Sequence, residues 1–135
     1  MSEKNIVVAV TGGIAVYKTV ELVSRLRKKG HNVHVIMTKA ATEFVTPLTF
    51  KTMSKNEVVC DMFAPIKKWE VEHISLANKA DAFVVCPATA NCIGKTASGI
   101  ADDFLSTTLM ATKAPVIFAP SMNTNMYENL IIRGI

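Results

Sequence analysis

Short runs of β-branched and other apolar residues recur along the chain, separated by longer stretches of mixed polarity. The first run, residues 6–10, is continuously apolar, which is typical of a central parallel strand buried on both faces. Similar runs predict strands at residues 33–37, 82–86 and 116–119, and residues 58–60 form a weaker candidate. This alternation is typical of chains built from βαβ units.

The stretches between the runs have helical periodicity. Val16, Val20, Val23 and Leu26 recur at spacings of three and four, and Gly30 follows as the C-cap of that helix. Further helices are predicted within residues 40–44, 47–53, 72–79, 91–96, 102–111 and 125–133. The pattern therefore predicts an α/β fold, a three-layer Rossmann-like or flavodoxin-like domain with a parallel sheet. A ligand of such a domain binds at the carboxyl edge of the sheet.

Length and composition limit the kind of protein. The 135 residues fit one domain, 1–135, and with half of them apolar and 19% charged the chain can bury a real core. The net charge is +4, but the densest basic cluster, at residues 25–29, lies where cations stabilise a helix C-terminus. We therefore expect no nucleic-acid partner.

The sequence shows no pattern typical of a membrane span, a secretory signal or a disulfide framework. No apolar stretch reaches the ~18–20 residues of a membrane span, and the first residues do not resemble a secretory signal. The three cysteines, Cys60, Cys86 and Cys92, include no pair with C-x-x-C spacing. We expect no membrane partner, no metal site and a cytoplasmic location.

The loops after the first two strands carry candidate binding residues. Residues 11–15 contain Gly12 and Gly13 ahead of a helix N-terminus, which suits a phosphate, although a tight turn without ligand is the alternative. The second strand ends at Thr38, which either donates to a phosphate or caps the next helix. No acidic residue follows that strand to hold a ribose, so the sequence disfavours NAD and leaves a mononucleotide or NADP.

Two later loops and one histidine complete the candidate site. Pro87 is expected to end the third clear strand. In residues 87–91 the small alanines would let a flat ring lie against the backbone, where Thr89 and Asn91 offer hydrogen bonds. Alternatively, Thr89 or Asn91 is only a helix cap. Residues 119–126 contain asparagines that can bind a carboxylate or amide, or form a polar turn. His73 is either a surface or capping residue or a catalytic base.

Five segments in this order resemble one protein family. They are residues 11–18, 71–77, 87–91, 99–103 and 119–129. Together they resemble the flavin-containing cysteine decarboxylases, and most of all the phosphopantothenoylcysteine decarboxylase domain of coenzyme A biosynthesis. The resemblance extends over essentially the whole chain.

The resemblance implies a cofactor and a set of site residues. The cofactor would be FMN, with His73 as the active-site base and Asn123 holding the substrate carboxylate. The cofactor-binding residues would be Gly12, Gly13, Ile14, Thr38, Thr89, Ala90, Asn91, Cys92 and Ser121. The family commonly has Ser, Thr and Ala where this chain has Thr89, Cys92 and Ser121.

The implied activity is that of a lyase, decarboxylation of a cysteinyl group without net redox change. The substrate would be 4′-phosphopantothenoylcysteine, and the assembly a homotrimer or a higher oligomer of trimers. The family continues beyond the position of Ile135 through another strand and a substrate-covering flap with a proton-donating cysteine, so we expect these 135 residues to be either a fragment of a longer chain or a truncated relative without that flap. The alternatives are a peptidyl-cysteine decarboxylase of peptide-antibiotic maturation and an FMN-binding module without full turnover.

Overall fold

The computed structural model describes residues 3–60, 78–100 and 104–120, and all the strands in these ranges run parallel in one sheet. The strands are β1 (Asn5–Val10), β2 (Asn32–Met37), β3 (Val59–Cys60), β4 (Ala82–Ala88) and β5 (Val116–Pro120). Their order in the sheet is β3-β2-β1-β4-β5. The order reverses between β1 and β4, as it does in Rossmann-type sheets. The α/β prediction is confirmed, and this order is the Rossmann one.

Helices follow the strands on both faces of the sheet. They are α1 (Val16–Lys28), a short 3₁₀ helix (Ala40–Glu43), α2 (Pro47–Ser54), α3 (Ala90–Ala97) and α4 (Phe104–Ala111). Each lies where the periodicity predicted a helix. The helices predicted at 72–79 and 125–133 lie largely or wholly outside the described residues.

Strand β1 is the centre of the molecule, because both of its faces are buried. Val8 and Val10 pack with α1 and α2, in a cluster that includes Phe50. Val7 and Ala9 pack on the opposite face, in a cluster that includes Leu105 of α4. All four of these β1 side chains are inaccessible to solvent. The prediction of three layers around a doubly buried strand is confirmed.

Helix α1 ends at the glycine that the sequence indicated. Gly30 has a φ of +91°, its N–H donates to the Arg27 carbonyl at 2.9 Å, and the His31 N–H donates to the Leu26 carbonyl at 3.2 Å. This pair of bonds is a Schellman motif, which requires a left-handed residue and therefore favours glycine.

The expectation that Pro87 ends a strand is wrong, because β4 continues to Ala88. Its pairing with β1 stops at Val85, and its register with β5 shifts between Val85 and Ala88. A proline, which lacks an N–H, is tolerated at such an irregularity. Two side chains supply the missing partners: the Thr19 hydroxyl donates to the Cys86 carbonyl at 2.8 Å, and the Thr11 hydroxyl donates to the Pro87 carbonyl.

The loop after β1 packs closely against the segment after β2. A Cβ added at Gly12 would lie 2.6 Å from the Cβ of Ala40 and 3.0 Å from its carbonyl carbon. A Cβ added at Gly13 would meet nothing nearer than Pro87 Cγ, at 4.0 Å. Gly12 is therefore required by close packing, whereas Gly13 is sterically open.

A polar network lies at the opposite, amino edge of the sheet. The side-chain amide of Asn32 donates to Asn5 Oδ1 at 2.9 Å and lies 3.2 Å from His34 Nε2. Because an amide NH₂ group can only donate, this bond requires the neutral form of the His34 ring, in which Nε2 accepts. Burial lowers the pKa of His34, and the positive charge of Lys79 lowers that pKa further.

We expect Gly12→Ala to destabilise the ligand-free protein by about 1–3 kcal/mol, the usual cost of overpacking. The matched control is Gly13→Ala, which removes the same backbone freedom from the unfolded chain but adds no close contact. Urea unfolding measures both variants. Equal free energies of unfolding for the two variants would contradict the packing argument.

We also expect acid to weaken the fold through His34. The unfolded chain binds a proton at this histidine near pH ~6.5, whereas the folded protein binds it only at lower pH. The free energy of unfolding therefore falls as the pH drops from ~6.5 toward the lowered pKa of the folded state. Urea unfolding at several pH values checks this, with His34→Gln as the control. The variant should show a shallower pH dependence than the wild type, and identical slopes would argue against the assignment.

Candidate functional site

A cavity of about 450 Å³ opens at the carboxyl edge of the sheet, where β1 and β4 diverge. This is the position at which open α/β sheets bind their ligands, and the volume suits a nucleotide-sized molecule. Its wall comes from the loops after β1, β2 and β4 and from helices α3 and α4. The lining residues are Thr11, Gly12, Thr38, Lys39, Ala40, Thr89, Cys92, Lys95, Leu105 and Ser106.

The cavity brings together several of the residues that the sequence singled out. Gly12, Thr38, Thr89 and Cys92 all line it, although they come from three different loops. Ala90 and Asn91 form the first turn of α3, directly after Thr89. Gly13 adjoins Gly12 and lies near Pro87.

Other predicted residues lie away from this wall. The side chain of Ile14 is 81% exposed and is not part of the lining, so its contact with a cofactor stays a prediction. His73, Ser121 and Asn123 lie outside the described residues.

Sequence reasoning did not find every lining residue. Lys95, Leu105 and Ser106 come from the helices α3 and α4, and Thr11 and Lys39 flank residues that were identified. The position of Lys95 one helical turn after Cys92 was the available signal, because residues three apart lie on the same face of a helix. The orientation of α4 toward the cavity has no comparable local signal.

Thr38 and Thr89 are both helix caps, as the alternative interpretation held. Thr38 Oγ1 accepts the Ala41 N–H at 3.2 Å, and Thr89 Oγ1 accepts the Cys92 N–H at 3.3 Å. In both cases the oxygen accepts, so the hydroxyl hydrogen is not used by the cap. Neither hydroxyl donates to another of the described residues. Each can therefore donate to a ligand in the cavity.

Backbone amides add further donors. The N–H groups of Gly12 and Gly13 in the first loop donate to no acceptor in the described ranges, and α3, which lines the cavity through Cys92, begins at Ala90. Helix N-termini leave such groups free and carry a positive dipole end. Together with the two threonines, these amides make the region rich in donors.

The charge of the cavity wall also favours a ligand rich in hydrogen-bond acceptors, and an anionic one. Lys39 and Lys95 line it, and none of its lining residues is a carboxylate. Ala40 and Leu105 provide apolar contact beside these polar groups. The arrangement suits an anionic ligand with many acceptor atoms and a flat apolar part. A flavin mononucleotide has these properties, since its phosphate, its ring carbonyls and two of its ring nitrogens (N1 and N5) accept hydrogen bonds.

The described ranges contain neither a metal-binding cluster nor a membrane-spanning helix. No group of three or more His, Cys, Asp or Glu side chains is placed there to hold a metal ion. None of the helices in those ranges has the length and apolar character needed to cross a membrane.

The chain is similar to curated proteins of coenzyme A biosynthesis. It is 49% identical over 133 residues to the Coenzyme A biosynthesis bifunctional protein CoaBC of Bacillus subtilis, covering 98% of this chain and 33% of that protein. It is 42% identical over 133 residues to the probable phosphopantothenoylcysteine decarboxylase of Streptococcus mutans, covering 97% and 74% of the two chains. The chain thus spans about a third of the length of the CoaBC proteins it matches.

A solved structure and a family match agree with these similarities. The crystal structure of TvaF, an FMN-dependent cysteine decarboxylase from thioviridamide biosynthesis, superposes with a TM-score of 0.88 at 30% identity, covering 97% of this chain and 81% of TvaF. Residues 1–133 match the family described as Flavoprotein. Because that match extends over nearly the whole chain, the protein is a member of the Flavoprotein family, as the order of its motifs predicted.

Proposed function

We propose that the protein is an FMN-dependent cysteine decarboxylase that acts on 4′-phosphopantothenoylcysteine in coenzyme A biosynthesis. The observation that carries this proposal is the donor-rich cavity at the divergence of β1 and β4, in a member of the Flavoprotein family. The substrate follows from similarity to the proteins of B. subtilis and S. mutans, at 49% and 42% identity.

The residues of the cavity suit FMN. The amides of Gly12 and Gly13 and the hydroxyls of Thr38 and Thr89 would donate to its acceptor atoms, and Lys39 would offset the phosphate charge. Ala90, Asn91 and Cys92 would contact the cofactor from the start of α3, and Ile14 and Ser121 are further proposed contacts. When bound, FMN supplies the capacity to accept and return two electrons, which the side chains lack.

Two residues would handle the substrate. His73 would accept the proton of the cysteinyl thiol, because a histidine titrates close to neutral pH and can act as a base there. Asn123 would donate its side-chain amide to the substrate carboxylate and so hold it without adding charge. Both roles rest on the motifs at residues 71–77 and 119–129.

A second candidate substrate is a peptide with a C-terminal cysteine. This alternative rests on the sequence motifs, which peptidyl-cysteine decarboxylases of peptide-antibiotic maturation share, and TvaF is a similar FMN-dependent cysteine decarboxylase from another biosynthetic pathway. The identity to TvaF is 30%, against 49% to the B. subtilis protein, so the small-molecule substrate is the better supported of the two.

The same proposal includes an assembly and a location. We propose a homotrimer or a higher oligomer of trimers on the basis of the family resemblance, and the exposure of large apolar side chains, among them Ile14, Tyr17, Phe44 and Leu48, is consistent with a subunit interface. We also propose that the protein acts in the cytoplasm, which agrees with its three free cysteines, Cys60, Cys86 and Cys92.

Purified protein should bind FMN and not NADP. With FMN bound, it should release CO₂ from phosphopantothenoylcysteine faster than from a peptide ending in cysteine.

In His73→Asn the FMN affinity should stay within about twofold, while decarboxylation falls by about 10²-fold or more, the usual contribution of a general base. Fluorescence titration and mass spectrometry of the product measure these quantities.

The outcomes separate the hypotheses. A colourless protein that binds NADP but no FMN would overturn the cofactor assignment. Loss of FMN from His73→Asn would make His73 a structural residue. Faster decarboxylation of the peptide than of phosphopantothenoylcysteine would support the second candidate substrate, a peptide with a C-terminal cysteine.

Analytical ultracentrifugation should show trimers or multiples of trimers at micromolar concentration. The physical reason is that burying the exposed apolar side chains in a subunit interface is favourable. Tyr17→Glu, which places a charge among them, should shift the population toward monomer. A wild-type protein that sediments only as a monomer of 14.7 kDa would contradict the assembly.

A further inference from the structure

Thr11 connects two of the loops that line the cavity, the loop after β1 and the loop after β4. Its side chain is 3% exposed, and its hydroxyl makes two hydrogen bonds to residues more than 70 positions away. The hydroxyl donates to the Pro87 carbonyl and accepts the Thr89 N–H at 3.2 Å. The hydroxyl therefore has its donor and one acceptor position used entirely within the protein.

We propose that Thr11 is a positioning residue for cofactor binding, which fixes the start of α3 against the cavity. This inference rests on the proposed binding of FMN. Thr11 acts through Thr89, whose hydroxyl and following amides are the groups that would contact the cofactor.

The hydrogen bonds around Thr11 form a continuous chain. The Cys92 N–H donates to Thr89 Oγ1, the Thr89 N–H donates to Thr11 Oγ1, and the Thr11 hydroxyl donates to the Pro87 carbonyl. Thr89 is thus held by its backbone on one side and by its cap on the other. Its backbone is extended, with φ −76° and ψ 160°, so the chain turns into the helix at this residue.

Strand pairing does not fix this turn on the β1 side. The ladder between β1 and β4 ends at Ala9 and Val85, so Thr89 has no ladder partner on β1. The Thr11 hydroxyl replaces that ladder. Removing it leaves the Pro87 carbonyl and the Thr89 N–H without partners in a largely buried place, which costs more than the hydrogen bonds themselves contribute.

Thr19, in helix α1, provides a matched control because its side chain also bonds to the end of β4. Its hydroxyl donates to the Cys86 carbonyl at 2.8 Å, and its side chain is fully buried. Cys86 directly precedes Pro87, the residue whose carbonyl accepts from Thr11. Thr19 makes no contact with Thr89 and does not line the cavity. Loss of this hydroxyl should lower stability without moving the start of α3.

The experiment compares Thr11→Val, Thr11→Ser and Thr19→Val in the full chain. Valine keeps the shape of threonine and removes the hydroxyl, whereas serine keeps the hydroxyl. We expect Thr11→Val to weaken FMN binding about tenfold or more, consistent with two unpaired polar groups. Thr11→Ser should restore affinity to within about threefold, and Thr19→Val should stay within about twofold of wild type.

Hydrogen exchange of the cofactor-free protein gives a readout that does not need FMN. The amides of Thr89 and Cys92 should exchange faster in Thr11→Val than in Thr19→Val, although we expect urea unfolding to show that both variants are destabilised. If Thr11→Val does not fold, Thr11→Ala takes its place in both measurements.

The possible results are distinguishable. Equal loss of FMN affinity in Thr11→Val and Thr19→Val would show a general effect of stability and overturn the proposal. Unchanged exchange at Thr89 and Cys92 in Thr11→Val would also overturn it. A wild-type protein that binds no FMN would overturn the proposed function instead, and the exchange measurement would still decide whether Thr11 positions α3.

Discussion

The structure depends on how the chain satisfies its backbone where β1 and β4 diverge. Paired strands would close this gap, but the ladder stops at Val85 and the carbonyls of Cys86 and Pro87 turn to threonine hydroxyls. A buried carbonyl without a partner is costly, so an open crevice between two parallel strands requires such replacements. Because side chains from the loop after β1 and from α1 supply them, the crevice is stable while it remains open to a ligand.

The cavity wall offers more hydrogen-bond donors than acceptors, because the acceptor atoms of its threonines are already used within the protein. Thr38 and Thr89 use their oxygen atoms to cap helices, which leaves their hydroxyl hydrogens for the cavity. The interpretations of these residues as helix caps and as ligand contacts are therefore compatible. Donors held in place before the ligand arrives need little reorganisation when it binds, and two lysines add the positive charge that a phosphate requires.

Local sequence predicted the elements whose formation depends on local chemistry. Continuous β-branched runs produced the strands, and the end of α1 followed from Gly30. The continuation of β4 through Pro87 could not be predicted, because it depends on pairing with β5 and on hydrogen bonds from Thr11 and Thr19, all of them far away in the chain. Lys95 and Ser106 were missed for a similar reason: which face of a helix meets the cavity is decided by packing. Ile14 is a different case: its motif position predicts a contact with the cofactor, its exposed side chain lies outside the cavity wall, and the contact stays a prediction.

The two adjacent glycines show how a short motif can combine different physical requirements. Neither has the left-handed backbone that usually explains a glycine, so conformational freedom is not the reason for either. Gly12 lies against Ala40, so its missing side chain allows the loop after β1 to pack on the segment after β2. This contact places Thr38 and Lys39 at the same cavity as the glycine loop. Gly13 has open space where a Cβ would lie, and its N–H donates to no acceptor among the described residues. The first glycine thus allows the cavity wall to assemble, and the second presents a backbone amide beside it.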